Sequence, residues 1–196
     1  MRLRRPRVLL SSRAMDSTAL RAEVGRRLAP WTTELGSDRV AYTNHVLRVL
    51  SLCDLVAPGS EPAPSDRPEF LAAAVFHDLG IWTAGTFDYL APSEELADHW
   101  LEGNGQGESS PLVVRMIDQH HKLRSAGSAD DPVEIFRRAD AVDVEMGVLG
   151  RFGVSRSVYR TLTEEFPDAG FHRRLLHLGA ERLRTHPLSP LPILKW

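Results

Sequence analysis

One cysteine, Cys53, is all that 196 residues contain, so the chain cannot close a disulfide on itself. Cys53 sits in an apolar run with Leu50, Leu52, Leu55 and Val56. A buried, inert thiol is expected there, and a reducing, cytoplasmic setting is implied. No apolar run approaches the ~20 residues that cross a bilayer, so no membrane partner is expected. No stretch of four or more residues alternates apolar with polar, which leaves no sheet to expect. Net positive charge is lacking too: the formal charge is −2, and Arg2, Arg4, Arg5, Arg7 and Arg13 are crowded at the start. Without them the remainder is clearly acidic, which argues against a nucleic-acid-binding face. Residues 1–15 read as a flexible extension with Met15 as an alternative start. The apolar centre Val8-Leu9-Leu10 is far shorter than the ~7–15 residues of a secretory core.

What remains has an ordinary globular balance, 42% hydrophobic and 26% charged residues. Residues 16–196 are enough for one domain with a substantial core. Nearly all of it reads as helix. Asp16 or Ser17 caps a first helix with Leu20, Val24 and Leu28 on one face, ending before Pro30. Ser37-Asp38 opens a longer one that faces the core with Val40, Leu47, Leu50 and Val56. Four prolines forbid helix over 58–68. A third helix then runs from Pro68 to His77-Asp78, and Gly80 and Gly85 mark a loop. Ser93-Glu94-Glu95 signals another start, and Ser109-Ser110-Pro111 a further one carrying His120 and His121. Asp131-Pro132 caps and begins a sixth helix reaching Gly147 or Gly150. Two more are expected over about 155–166 and 171–185. The proline-rich end, 187–196, is expected to pack its Leu, Ile and Trp across the body or to mark a homodimer contact.

The chemistry begins at Ala72-Ala73-Ala74-Val75-Phe76-His77-Asp78-Leu79-Gly80. Neighbouring residues on a helix point about 100° apart, so a doublet of imidazole and carboxylate makes sense if one ion uses both. Further ligand types follow in chain order on separate helices: His45, His77-Asp78, His99, His120-His121, Asp140. Helical bundles build metal sites by converging side chains in this way.

The order His…His-Asp…Asp, with the doublet in "AAAVFHDLG" and the last acid in "RRADAVD", resembles the HD-domain superfamily of metal-dependent phosphohydrolases. The resemblance covers about residues 38–147. His99 and the pair His120-His121 resemble its two-metal branch. The Gly-Tyr-Pro loop of that branch's cyclic-dinucleotide phosphodiesterases is replaced here by Lys122-Leu123-Arg124-Ser125-Ala126-Gly127, which speaks against that substrate. What the resemblance implies is a compact all-α helical bundle around a central metal site. His45, His77, Asp78 and Asp140 would hold a first divalent ion. His99, His120 and His121 would complete a second, with Asp78 bridging and Asp78, His99 and His120 carrying the catalytic role. Three imidazoles suit Fe, Mn or Zn better than Mg. The implied activity is hydrolysis of a small phosphate ester or nucleotide by a metal-bound hydroxide. A diiron oxygenase acting on a small phosphonate-like or polyol substrate, and a non-catalytic nucleotide sensor, are the alternatives.

Four basic residues near the ligands are candidate substrate contacts: Lys122, Arg124, Arg137 and Arg48. Phe87 and Tyr89, in the loop after the doublet, could stack on a base or fill an apolar pocket. Asp143, one turn after Asp140, is either a partner of the ligands or a solvated acid, and the solvated reading is preferred, as it is for Asp118. For His172, His177 and His186, surface or capping roles are preferred.

Overall fold

Proline and capping chemistry set most helix starts. The computed structural model describes residues 17–185; the expectations for 1–15, an Asp16 cap, His186 and the 187–196 tail lie outside them. Helix α1 (Ser17–Leu28) buries Leu20, Val24 and Leu28 as its spacing requires. A 3-10 turn containing Pro30 and a short α2 (Thr32–Leu35) follow. Helix α3 (Arg39–Val56) is the central element, and from Asn44 to Leu50 it is buried on every side. Here one expectation fails: Val40 is 64% exposed and Val56 only partly buried. A helix wrapped all round has no single apolar face to read from periodicity.

Helix α4 (Pro68–Phe76) takes Pro68 in its first turn and buries everything from Phe70 onward. A short α5 (Gly80–Thr83) stands where a loop was expected. Helix α6 (Leu90–Gly103) begins three residues before Ser93. The reason is that the Ser93 hydroxyl does not cap α6; it accepts the Gly80 N–H at 3.0 Å. Helix α7 (Ser110–Gln119) ends at His120, so the histidine pair closes the helix rather than riding inside it. Helix α8 (Pro132–Val144) starts as expected, with the Asp131 carboxylate accepting the Val133 N–H at 2.8 Å. Helices α9 (Arg156–Glu165) and α10 (Phe171–Thr185) complete the bundle.

Helix α3 lies along α8 and touches α1, α4, α9 and α10, while α7 meets α4, α6 and α8. Their apolar faces merge in one core that includes Leu47, Leu50, Phe76, Met116, Ile117 and Phe136. Burying each such side chain is worth about 1.5–3 kcal/mol. The fold is all-α; no strand occurs among the described residues, nor any helix long and apolar enough to cross a membrane. Cys53 is fully buried in this core, as expected. Four helices, α3, α4, α7 and α8, each bring a ligand-type side chain to the same interior point.

Candidate metal centre

His77 and His120 are placed by the same local device at two helix ends. Each donates its Nδ1–H to the carbonyl three residues back, Ala74 at 2.9 Å and Ile117 at 2.6 Å. A carbonyl can only accept, so Nδ1 carries the proton and the Nε2 lone pair is turned inward. His45, in the middle of α3, reaches the same state by donating Nδ1–H to Asp143 Oδ2 at 2.7 Å. The Nε2 atoms of His45 and His77 then face each other at 2.9 Å. Asp78 Oδ2 lies 3.6 Å from both, and Asp140 Oδ1 lies 3.8 and 3.5 Å from them. Such separations are those of ligand atoms sharing one cation with bonds of about 2.0–2.2 Å.

Beside this set, Asp78 Oδ1 lies 3.4 Å from His120 Nε2. Ligand atoms of Asp78, His120 and His121 fall within 4.8 Å of one another, as do those of His45, His77 and Asp78. His121 points Nδ1 toward Asp140 Oδ2 at 3.7 Å and holds the Tyr89 hydroxyl at Nε2, 2.7 Å away. Asp78 therefore has one oxygen on each group.

Whether these residues fit a metal ion is answered by their unpaired atoms. Asp78 Oδ1, His120 Nε2 and both Asp140 oxygens are buried with no hydrogen-bond partner among the described residues. Buried carboxylates left unpaired are strongly unfavourable unless a cation or proton compensates them. The His45 and His77 Nε2 atoms, 2.9 Å apart, need one shared proton, whose place a cation can take. A divalent ion resolves all of it at once, and the imidazole–carboxylate donor set suits Zn, Mn or Fe.

The electrostatics agree. Burial opposes protonation of His77, but Asp78 and Asp140 outweigh it and lift the imidazole to about 9. Burial likewise opposes charge on Asp78, yet the surrounding imidazoles hold its carboxyl well below the ordinary range. Burial and the neighbouring His120 push His121 down to about 3, so it stays a neutral imidazole. The cluster is a negative pocket that attracts positive charge.

Around the ligands lies a shell that the sequence reading largely missed. Asp143 is fully buried, not solvated. Its oxygens accept from His45, from Arg48 Nε at 2.6 Å and Nη2 at 2.9 Å, and from the Tyr159 hydroxyl at 2.9 Å. Burial penalises its charge, but the bonds from His45 and Arg48 outweigh it and hold the carboxyl far below its usual range. Gly147 permits this packing: its φ is +62°, and an added Cβ would sit 2.5 Å from the Tyr159 side chain. Phe171 stacks on the His45 ring at 3.9 Å, and His172 bonds both Asp168 and the Asp143 carbonyl. Of the surface and capping roles expected for His172, capping holds: Nε2 meets the Asp143 carbonyl in the last turn of α8 while Nδ1 meets Asp168.

Three further expectations are corrected. His99 is exposed on α6; the helix buries Leu90, Ser93, Ala97 and Leu101, and its spacing turns His99 outward. Arg48 is fully buried, and with its guanidinium committed to Asp143 and the Phe166 carbonyl it has no arm for substrate. Arg137 is spent on Glu134, at 2.8 Å through two nitrogens, and on the Lys122 carbonyl. Lys122 is half-buried, Arg124 is exposed, and neither side chain has a partner among the described residues. Tyr89 and Phe87 fill an apolar cluster with Ile81 and Leu90, the second of the two roles expected for them, and the buried Tyr89 sets its hydroxyl against His121. Compared with protein-family models, curated proteins and solved structures, the chain matches none of them.

Proposed function

We propose that the chain is a metal-dependent hydrolase of the HD-domain type, acting on a small phosphate ester or nucleotide. The observation that carries the reading is the convergence of His45, His77, Asp78, His120, His121 and Asp140, in that chain order, with Asp78 Oδ1, His120 Nε2 and both Asp140 oxygens buried and unpartnered among the described residues. His45, His77, Asp78 and Asp140 would hold one ion, and Asp78, His120 and His121 a second. The donors favour Fe, Mn or Zn over Mg. A bound ion supplies Lewis acidity and a water acidic enough to act near neutral pH.

The chain's own residues do the rest. Asp143, Ala74 O and Ile117 O hold three imidazole tautomers, so the site is organised before any ion arrives. Lys122 and Arg124, on the loop directly after the ligand pair, are the basic groups with free side chains, and they would receive the phosphate. Glu134 and Arg137 fix that loop through the Ala126 N–H and the Lys122 carbonyl.

The test is to purify the full chain without added metal or chelator and to quantify bound metals by elemental mass spectrometry. A panel of phosphate mono- and diesters follows, with Mn, Fe, Co or Zn supplied. Phosphate release that disappears in Asp78→Ala supports the reading. A metal-loaded protein inert across the panel overturns it. Two bound irons with a redox-active spectrum, without phosphate release, would assign an oxygenase instead.

A further inference from the structure

The two oxygens of Asp140 are turned to different imidazoles. Oδ1 lies 3.8 Å from His45 Nε2 and 3.5 Å from His77 Nε2, on the first group. Oδ2 lies 3.7 Å from His121 Nδ1, on the second. These separations exceed the about 2.7–3.2 Å of an N–H···O hydrogen bond. Both oxygens are buried and have no hydrogen-bond partner among the described residues. A single ion beside Oδ1 would leave Oδ2 still buried and unpaired, which is unfavourable. Asp78 shows the same division, with Oδ2 3.6 Å from His45 and His77 Nε2 and Oδ1 3.4 Å from His120 Nε2.

We infer that Asp140 is a second bridging carboxylate: it serves both groups, as Asp78 does, and takes in the second the place that His99 leaves open. This rests on the metal-dependent reading of the site. With His99 exposed on α6, the second group would otherwise draw only Asp78, His120 and His121 from the chain. Asp140 Oδ2 gives it a fourth donor, the number that His45, His77, Asp78 and Asp140 Oδ1 supply to the first. The two groups then share both carboxylates and form one unit.

The fold holds both carboxylates in place. On α8, Phe136 one turn before Asp140 packs edge-on against His77, with ring centroids 5.5 Å apart. Asp143, one turn after, bonds His45 and Arg48. The helix cannot rotate Asp140 away without breaking one of these contacts. Asp78 is fixed by the turn that follows it. Gly80 lies so close to the start of α6 that a Cβ there would fall 2.5 Å from the Tyr89 carbonyl oxygen and 2.8 Å from Ser93 Oγ.

The experiment uses the full chain, stripped with chelator, dialysed free of it and titrated with Co²⁺ by equilibrium dialysis, with the cobalt spectrum recorded. Wild type should take two equivalents. His45→Ala and His121→Ala identify them, since each removes an imidazole from one group only. Asp140→Ala should weaken both, each by more than the ~10–100-fold that loss of an outer partner of a ligand costs. Asp140→Asn keeps the volume but offers one ligand oxygen. With two imidazoles of the first group facing that oxygen, the second equivalent should weaken alone, a selective loss that general disturbance of the fold would not give. Circular dichroism checks that each variant keeps the helix content of wild type; should the alanine variant not fold, the asparagine variant decides. A second equivalent weakened in Asp140→Ala no more than in His45→Ala overturns the inference and leaves the hydrolase reading standing. So does a second equivalent unchanged in Asp140→Asn. One equivalent in wild type overturns it while a single-ion hydrolase survives. No bound cobalt sinks both readings.

Discussion

Asp78 faces two groups of imidazoles, its Oδ2 toward His45 and His77 and its Oδ1 toward His120. Replacing it with alanine removes a ligand from both sides at once. Bound metal after desalting should fall at least tenfold in Asp78→Ala, measured by elemental mass spectrometry. His99→Ala is the informative contrast. Its imidazole is exposed on the outer face of α6, so metal content and affinity should equal those of wild type. A loss of metal in His99→Ala would require α6 to rotate by nearly half a turn, against the burial of Ala97 and Leu101.

At the scale of elements, two contacts bring separate segments to the site. The first is the docking of α6 against the turn after the doublet. Gly80→Ala places a methyl against backbone, which cannot swing away as a side chain can, so a penalty of about 1–3 kcal/mol is expected. Urea unfolding of the metal-free protein measures it. The second is Glu134, whose carboxylate accepts from Arg137, Arg138 and the Ala126 N–H and so pins the loop bearing Lys122 and Arg124 to α8. Burial opposes its charge, but Arg137 and the other donors hold it at about 2, against 4.5 when unfolded. A depressed folded pKa means stabilisation that is full above the unfolded value and is lost as pH falls toward the folded one. The stability difference between wild type and Glu134→Gln should accordingly be constant above about pH 5 and shrink steadily below 4.5. Urea unfolding from pH 6 to pH 3 follows it.

For the whole molecule, the cluster links four helices through side chains that could hold a cation, several of whose buried atoms lack partners among the described residues. Metal binding should therefore stabilise the entire bundle. At a free ion concentration 100 times Kd the gain is about 2.7 kcal/mol. For a chain of this size that corresponds to a rise in Tm of roughly 5–10 °C. Calorimetry with Zn²⁺ or Mn²⁺ should show the rise, chelator should reverse it, and Asp78→Ala should abolish it.

The helical class, most helix starts and the residue types of the buried cluster, His99 excepted, could be read from the chain, because each rests on chemistry within a few residues. Pro68, Pro111 and Asp131-Pro132 act locally, and His77-Asp78 is contiguous. The directions of side chains and their distant partners were decided only by tertiary packing. Arg48 meets Asp143 across 95 residues, and His45 meets it across 98. Nothing near Arg48 distinguishes a buried partner of an acid from a phosphate ligand. The docking of α6 turned His99 to the surface and brought Tyr89 into the interior, although both lie in similar mixed sequence. A residue's type states which bonds it can make. Which of them it makes is fixed by the neighbour that removes water from it, and for this centre those neighbours come from other helices.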